Sequence, residues 1–346
     1  MAAATPPVAQ GRTDADFVST GRLPPSDRVQ ALVEEAHRRY RSDPGGELSQ
    51  VYPSLARAPD DLFGVCIADV TGNVHAAGDA RREFTIMSVS KPFVFALICA
   101  AVGADEVRDR IGVDATGRSF DSLEAVERAP GGRTNPMVNS GAIATTSLAP
   151  GNRLDEKWRF LHEGLSRFAG RTLRLNEEVH ADAAASNHRN RSIARLLQSL
   201  GRLYMPPDEA VELYTRQCSL DVTAEDLAVM GATLADGGVN PLSRDAVVAP
   251  HDCHCALAVM AIAGLYETSG TWLFDVGLPG KSGIGGGIAA AAPGKAGLGT
   301  FAPRLDAAGN SVKGQLAARF LSQRLGLDLF ASRAARPPDA PASEPR

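Results

Sequence analysis

Three shortages frame this chain. It has no excess of basic residues: 36 Lys and Arg stand against 40 Asp and Glu over 346 residues, for a formal net charge of −4. Nucleic acid is bound largely by Lys and Arg that displace counterions from phosphate, so it is excluded as the expected partner. The longest apolar run, Pro92 to Ala104, falls short of the roughly 20 residues a spanning helix needs, and no membrane partner is expected. Cysteine is sparse as well. Cys66, Cys99, Cys218, Cys253 and Cys255 are odd in number and scattered, which makes no disulfide framework and suits a reducing compartment. Met1 to Arg12 lacks the basic and then apolar regions of a signal peptide, so a cytoplasmic location is expected.

What is present is 44% hydrophobic and 22% charged, enough to bury a large core. Residues 1–27 are rich in Ala, Pro and small polar residues, and residues 331–346 are rich in proline; both read as disordered tails. Between them, Leu62 to Val70 is β-rich, Thr71-Gly-Asn73 makes a turn and the chain runs back from Val74, a hairpin. Helical periodicity follows. Ala184 to Leu200 carries Ile193, Leu196, Leu197 and Leu200 on one face. Thr223 to Ala235 opens with a capping pair, Thr223 and Asp226. Gly277 to Pro293 and Ala296 to Pro303 are strand candidates joined at Pro293-Gly294, and Ser311 to Leu325 is a last helix closed by Gly326. Early strands, a helical middle and late strands predict an α/β (α+β) fold. Segments 28–87 and 270–330 would form a discontinuous, mostly antiparallel sheet domain flanked by helices, with an all-helical domain over 88–269 inserted.

Two short motifs can carry chemistry. In Ser88-Val-Ser-Lys91, at the start of an apolar helical run, a serine at a helix N-terminus has backbone N–H groups facing any anion formed there. Lys91, one turn on, lies on the same face, and burial would make its amine a base. The competing reading is a serine cap followed by a surface lysine. In Lys281-Ser-Gly283, followed by Ile284 and three glycines, glycine permits close approach of backbone to a ligand; the competing reading is a bulge. Ser-x-x-Lys followed by a Lys-Thr-Gly box marks penicillin-binding proteins and class A β-lactamases, and here serine replaces the threonine. One further run, His251-Asp-Cys-His-Cys255, offers only His251 and Cys255 on one helix face, while a tetrahedral metal site needs two more ligands; no metal is expected.

Longer strings narrow the family. Asn135-Pro-Met-Val-Asn-Ser-Gly-Ala-Ile143, Cys218-Ser-Leu-Asp-Val-Thr223, Asp226 through Pro241, Gly277-Leu-Pro-Gly-Lys-Ser-Gly-Ile284 and Leu305 through Val312 resemble the glutaminase family from about Gly46 to Phe330. The resemblance implies a serine β-lactamase-like fold, hydrolysis of L-glutamine to L-glutamate and ammonia, and a homo-oligomer, a dimer or tetramer. Ser88 matches the acyl-enzyme nucleophile and Lys91 its general base. Tyr214 and Tyr266 match the two site tyrosines, with Tyr266 assisting proton transfer near the serine. Asn139 and Asn190 match the asparagines that hold the amino-acid end of glutamine. The N–H of Ile284, where the family has Val, would complete an oxyanion hole with that of Ser88. No cofactor is implied, because acyl transfer needs a nucleophile, a base and hydrogen-bond donors.

Three departures touch recognition. The glutamate that in the family receives the substrate α-ammonium is Ala183 here. The aromatic of the family's Tyr-Ile-Pro segment is displaced by one position, to Tyr52. The Gln before the nucleophile is Met87. Three readings stay open: a glutaminase in which Asp182 reaches the α-ammonium, which requires residues 180–185 to be a loop; a serine amidohydrolase redirected to amides without a free α-amino group; and a binding module that keeps the fold.

Overall fold

A computed structural model describes residues 22–332. The expected hairpin forms, Gly64–Asp69 pairing antiparallel with Val74–Gly78, and Asp69 clamps the turn by accepting from the backbone N–H of Thr71 and of Asn73. The late strands Gly280–Ser282, Gly287–Ala292 and Ala296–Phe301 join it. Val65 pairs with Thr300 and Ile67 with Leu298, so the early and late segments share one five-stranded antiparallel sheet. From one edge its order is Val74–Gly78, Gly64–Asp69, Ala296–Phe301, Gly287–Ala292, Gly280–Ser282.

Both faces of the three central strands are covered, so Gly64–Asp69, Gly287–Ala292 and Ala296–Phe301 are near-continuously buried rather than alternating. On one face Val65, Ile67, Ile288, Ala290 and Leu298 meet Val29, Leu32 and Val33 of helix Ser26–Tyr40 and Ala317 and Leu321 of helix Val312–Leu325. On the other, Cys66 and Ala68 meet Ala228, Val229 and Ala232 of helix Ala224–Ala235. That helix, although it falls in the segment read as the inserted helical domain, lies against the sheet backbone. A Cβ at Gly297 would stand 2.0 Å from Ala228 O, and one at Gly299 would stand 2.0 Å from Ala224 O. Small residues on the strand therefore set the helix-to-sheet distance.

Local signals set the element ends. Thr223 Oγ1 accepts from the N–H of Asp226, whose carboxylate accepts from the N–H of Thr223, the reciprocal box read in the sequence. Ser311 caps the last helix at Gly314 N–H, and Gly326 closes it in the left-handed region. The structure differs from the sequence reading in three places. The segment read as one helix over 184–200 is two, Glu177–Ser186 and His188–Ser199, broken at Asn187. The strand candidate over 277–293 is interrupted by a tight turn at 283–286. The first helix begins at Ser26, inside the segment read as a tail; of both tails, residues 1–21 and 333–346 lie outside the described residues. The break at Asn187 has a tertiary cause, given below.

Gly297→Ala is expected to push helix Ala224–Ala235 off the sheet and to lower unfolding stability by about 1–3 kcal/mol, the usual cost of overpacking. Urea denaturation midpoints of the two proteins measure it, and coincident curves would contradict the contact.

Candidate active site

Ser88 sits in a 3-10 turn, Met87–Val89, immediately ahead of helix Ser90–Val102. Ser90 Oγ ties the turn by donating to Met87 O at 2.8 Å. Met87 itself has φ +48°, a left-handed conformation that costs a side-chain-bearing residue on the order of 1–3 kcal/mol and survives where surrounding contacts impose it. The contacts are visible. Turn 283–286 presses on this segment, with a Cβ at Gly283 falling 3.0 Å from Ile86 O and one at Gly285 falling 2.6 Å from Thr85 O. Ile284, between these two glycines, lines the same cavity as Ser88. Glycine on both sides lets two backbones nearly 200 residues apart in sequence touch, which sets Ile284 on the wall of the cavity that Ser88 lines.

Lys91, one turn into the helix, is 1% exposed. Its Nζ donates to Met137 O at 3.2 Å and to Asn139 Oδ1 at 2.8 Å, rather than to Ser88. Burial pushes its pKa down to about 8, against the smaller opposing pull of the Cys218 thiol and the Asp121 carboxylate. The amine is thus within reach of neutrality under ordinary conditions, as a general base must be. Asn139 Oδ1 also accepts from Tyr214 Oη at 3.2 Å. From its Nδ2 a chain of amides runs on: to Asn190 Oδ1 at 3.1 Å, from Asn190 Nδ2 to Asn187 Oδ1 at 2.7 Å, and from Asn187 Nδ2 to Thr215 Oγ1 at 2.6 Å. Asn187 breaks the helical run because its side chain is drawn into this relay.

Tyr266 occupies a second left-handed position, φ +53°, in the 3-10 turn Tyr266–Thr268. Its hydroxyl donates to Ser282 O at 3.3 Å. Burial raises its pKa to about 12, against the opposing effect of a hydrogen bond with Ser88. Lys281 stands over the Tyr266 ring at 4.2 Å from the centroid, and its Nζ donates to Gly264 O and Ser282 O, each at 2.7 Å. Burial, and then the nearby Lys91, hold its pKa well below the lysine range. Two donors meet two carbonyls, so Lys281 is satisfied without touching Ser88. It props the ring of Tyr266.

Tyr52, Ser88, Asn139, Asn190, Tyr214 and Ile284 line one cavity of about 200 Å³. The displaced aromatic Tyr52 is therefore on the cavity wall, and Tyr266 lies behind Ser88. Asp182 is elsewhere. Residues 177–186 are helical, so the loop its proposed role requires does not exist, and its Oδ2 accepts from Ser54 N–H at 2.8 Å. Ala183, next along, faces the cavity. Sequence reasoning missed Asn187, Thr215, Cys218, Asp121 and Arg189, all of which line it; only Cys218 lay in a quoted motif. In the 251–255 run, Cys255 Sγ lies 3.8 Å from His251 Nε2. Among the described residues no group of three or more His, Cys, Asp or Glu is gathered as metal ligands.

A family model described as glutaminase matches residues 46–330. Glutaminase 2 of Yersinia pestis is 64% identical over 317 residues, covering 92% of this chain and 93% of that protein. A glutaminase of Brucella suis biovar 1 is 46% identical over 308 residues, covering 89% and 97%. A solved structure described as a probable glutaminase superposes with TM-score 0.87 at 42% identity, over 89% of this chain and 99% of the other. A second, of Mglu in its L-glutamate binding form, superposes with TM-score 0.83 at 38% identity, over 88% and 71%.

Lys281→Met removes the shorter of two hydrogen bonds from each of two buried carbonyls, Gly264 O and Ser282 O, and takes away the prop under Tyr266. We expect a loss of about 1–3 kcal/mol in all from the two lost hydrogen bonds, read as a lowered melting temperature. We also expect at least tenfold slower modification of Ser88 by an electrophilic serine reagent. Unchanged labelling would show that Tyr266 is held without Lys281.

Proposed function

The chain belongs to the glutaminase family, and on that premise we propose that it hydrolyses the side-chain amide of L-glutamine through an acyl-enzyme on Ser88. The observation that carries this reading is one arrangement: a serine lining a cavity, a buried amine with a pKa of about 8 one helical turn along, and Ile284 in a glycine-flanked turn lining the same cavity. Ser88 Oγ attacks the amide carbon while its proton passes to Lys91, with the Tyr266 hydroxyl, hydrogen-bonded to Ser88, as the relay. The oxyanion that forms is held by the N–H groups of Ser88 and Ile284, donors whose individual removal in comparable sites costs about 10²–10³ in kcat. The C–N bond breaks, ammonia leaves with the proton returned from Lys91, and water then hydrolyses the γ-glutamyl ester.

Asn139, Asn190, Tyr214 and Tyr52 would hold the amino-acid end, and the amide relay behind them keeps Asn139 and Asn190 oriented. The solved structure of Mglu in its L-glutamate binding form supports the product class. The relatives carry the name glutaminase, and nothing in them favours a redirected amidohydrolase or a non-catalytic module. Among the described residues no single helix is long and apolar enough to cross a membrane, and we place the enzyme in the cytoplasm as a homo-oligomer, dimer or tetramer. Phe274, 92% exposed, and Ile262, 47% exposed, offer apolar surface for such an interface.

The direct test is release of ammonia and glutamate from millimolar L-glutamine, with Ser88→Ala as the blank. Serine-dependent turnover is the expected result; equal rates in the two proteins would overturn the assignment. The amine of Lys91 gives a pH signature. The neutral form is the base, so with a pKa of about 8 roughly a tenth is competent at pH 7 and half at pH 8. Log kcat/KM is expected to rise with unit slope below pH 8 and to level off above it. A profile that is flat from pH 6 to 9 would remove Lys91 from the role.

A further inference from the structure

Resting on the reading of the cavity as a glutamine site, we infer that Asp121 receives the substrate α-ammonium in place of the glutamate that Ala183 displaces. The gap is real in three dimensions. Ala183 lines the cavity and is 4% exposed, so an acid at that position would face the ligand, and a methyl group does. Its neighbour Asp182 is turned away and satisfied by Ser54 N–H. An ammonium drawn out of water needs a charged or fully hydrogen-bonded partner.

Of the cavity-lining residues, Asp121 alone carries a carboxylate and Arg189 alone a guanidinium. Both lie at the mouth, with side chains 39% and 52% exposed, whereas Ser88 is 8% exposed. Glutamine must put its amide at Ser88, so its α-ammonium and α-carboxylate face the end of the cavity where these two charges stand. Asp121 is also pinned to the elements that carry the site. The preceding carbonyl, Phe120 O, accepts from the N–H of Asn139 at 2.7 Å, and the Phe120 ring packs on Tyr266 at 4.7 Å between centroids. Asp121 O accepts from Arg189 Nε at 2.9 Å, one residue from Asn190. Its carboxylate is oriented through Oδ1, which accepts from Ser119 Oγ at 2.7 Å. Oδ2 has only the distant Arg189 Nε, 3.8 Å away, a half-exposed pair of the kind that contributes little, and is open to a ligand. The carboxylate is also near enough to Lys91 to oppose the fall of its pKa.

Asp121→Asn keeps the shape and the Ser119 contact and removes the charge. With L-glutamine, KM is expected to rise about 10- to 100-fold, the range of a charge-assisted hydrogen bond, with kcat within threefold of the parent. Adding Ala183→Glu to that variant should restore most of the loss, because a carboxylate from the facing wall replaces the charge, which repair of a merely structural defect would not do. N-acetyl-L-glutamine, which has no ammonium, should be indifferent to Asp121→Asn. Asp121→Ser is the second variant should the first fail to melt like the parent. A KM within twofold of the parent in a folded variant, or a loss that Ala183→Glu leaves untouched, would overturn the inference while leaving Ser88-dependent glutamine turnover standing. Absence of that turnover in the parent protein would instead remove the glutaminase reading and this inference with it.

Discussion

An ammonium taken out of water loses several kcal/mol of solvation unless partners replace it, and Lys91 is buried on all sides. Much of the interior polar architecture follows from that single burial. Met137 O and Asn139 Oδ1 supply the partners; Asn139 must then be held, and Tyr214 and Asn190 hold it; Asn190 is held in turn by Asn187, and Asn187 by Thr215. The links tie together helices Ser90–Val102, Asn139–Ser147, His188–Ser199 and Pro207–Cys218, so these cannot shift relative to one another without breaking a buried hydrogen bond. The same burial lowers the amine's pKa, and so the feature that costs folding energy is the one that makes the lysine useful as a base.

A second constraint is steric. Turn 283–286 approaches Thr85 to Met87 with backbone nearly on backbone, which requires glycine at 285 and leaves little room for a side chain at 283. Met87 and Tyr266 adopt left-handed conformations on either side of this contact, and such strained positions persist where packing over-determines them. Rigidity of this kind suits a site that must hold donors where an oxyanion will form, because the donors then need no rearrangement as charge develops.

The recognition end of the cavity is built by different means. Its charges sit on a short connection, residues 119–122, and on the first turn of helix His188–Ser199, both anchored by backbone hydrogen bonds to the rigid end. Neither Ala183 nor Asp121 belongs to the hydrogen-bonded relay that runs from Lys91 to Thr215.

The amino-acid sequence by itself determined what depends on neighbours along the chain. The Thr223–Asp226 box, the Ser311 cap, the 71–73 turn and the Ser88–Lys91 spacing are local, and they form as local chemistry dictates. The order of early strands, helical middle and late strands pointed to the sheet pairing between early and late segments and to the fold class, with which the family-like strings agreed. Only the tertiary structure decided the rest. Asn187 looks compatible with a continuing helix until Thr215, from another helix, claims its side chain. Asp182 and Ala183 differ by about 100° around a helix, and helix Glu177–Ser186 packs with Asp182 on Ser54 N–H and Ala183 on the cavity wall. Asp121 is an ordinary aspartate in a polar loop until the fold sets it against Arg189 on the cavity wall. Side-chain hydrogen bonds between distant segments leave no periodicity to read, and so the chemistry's inner half was legible in the chain while its outer half waited for the fold.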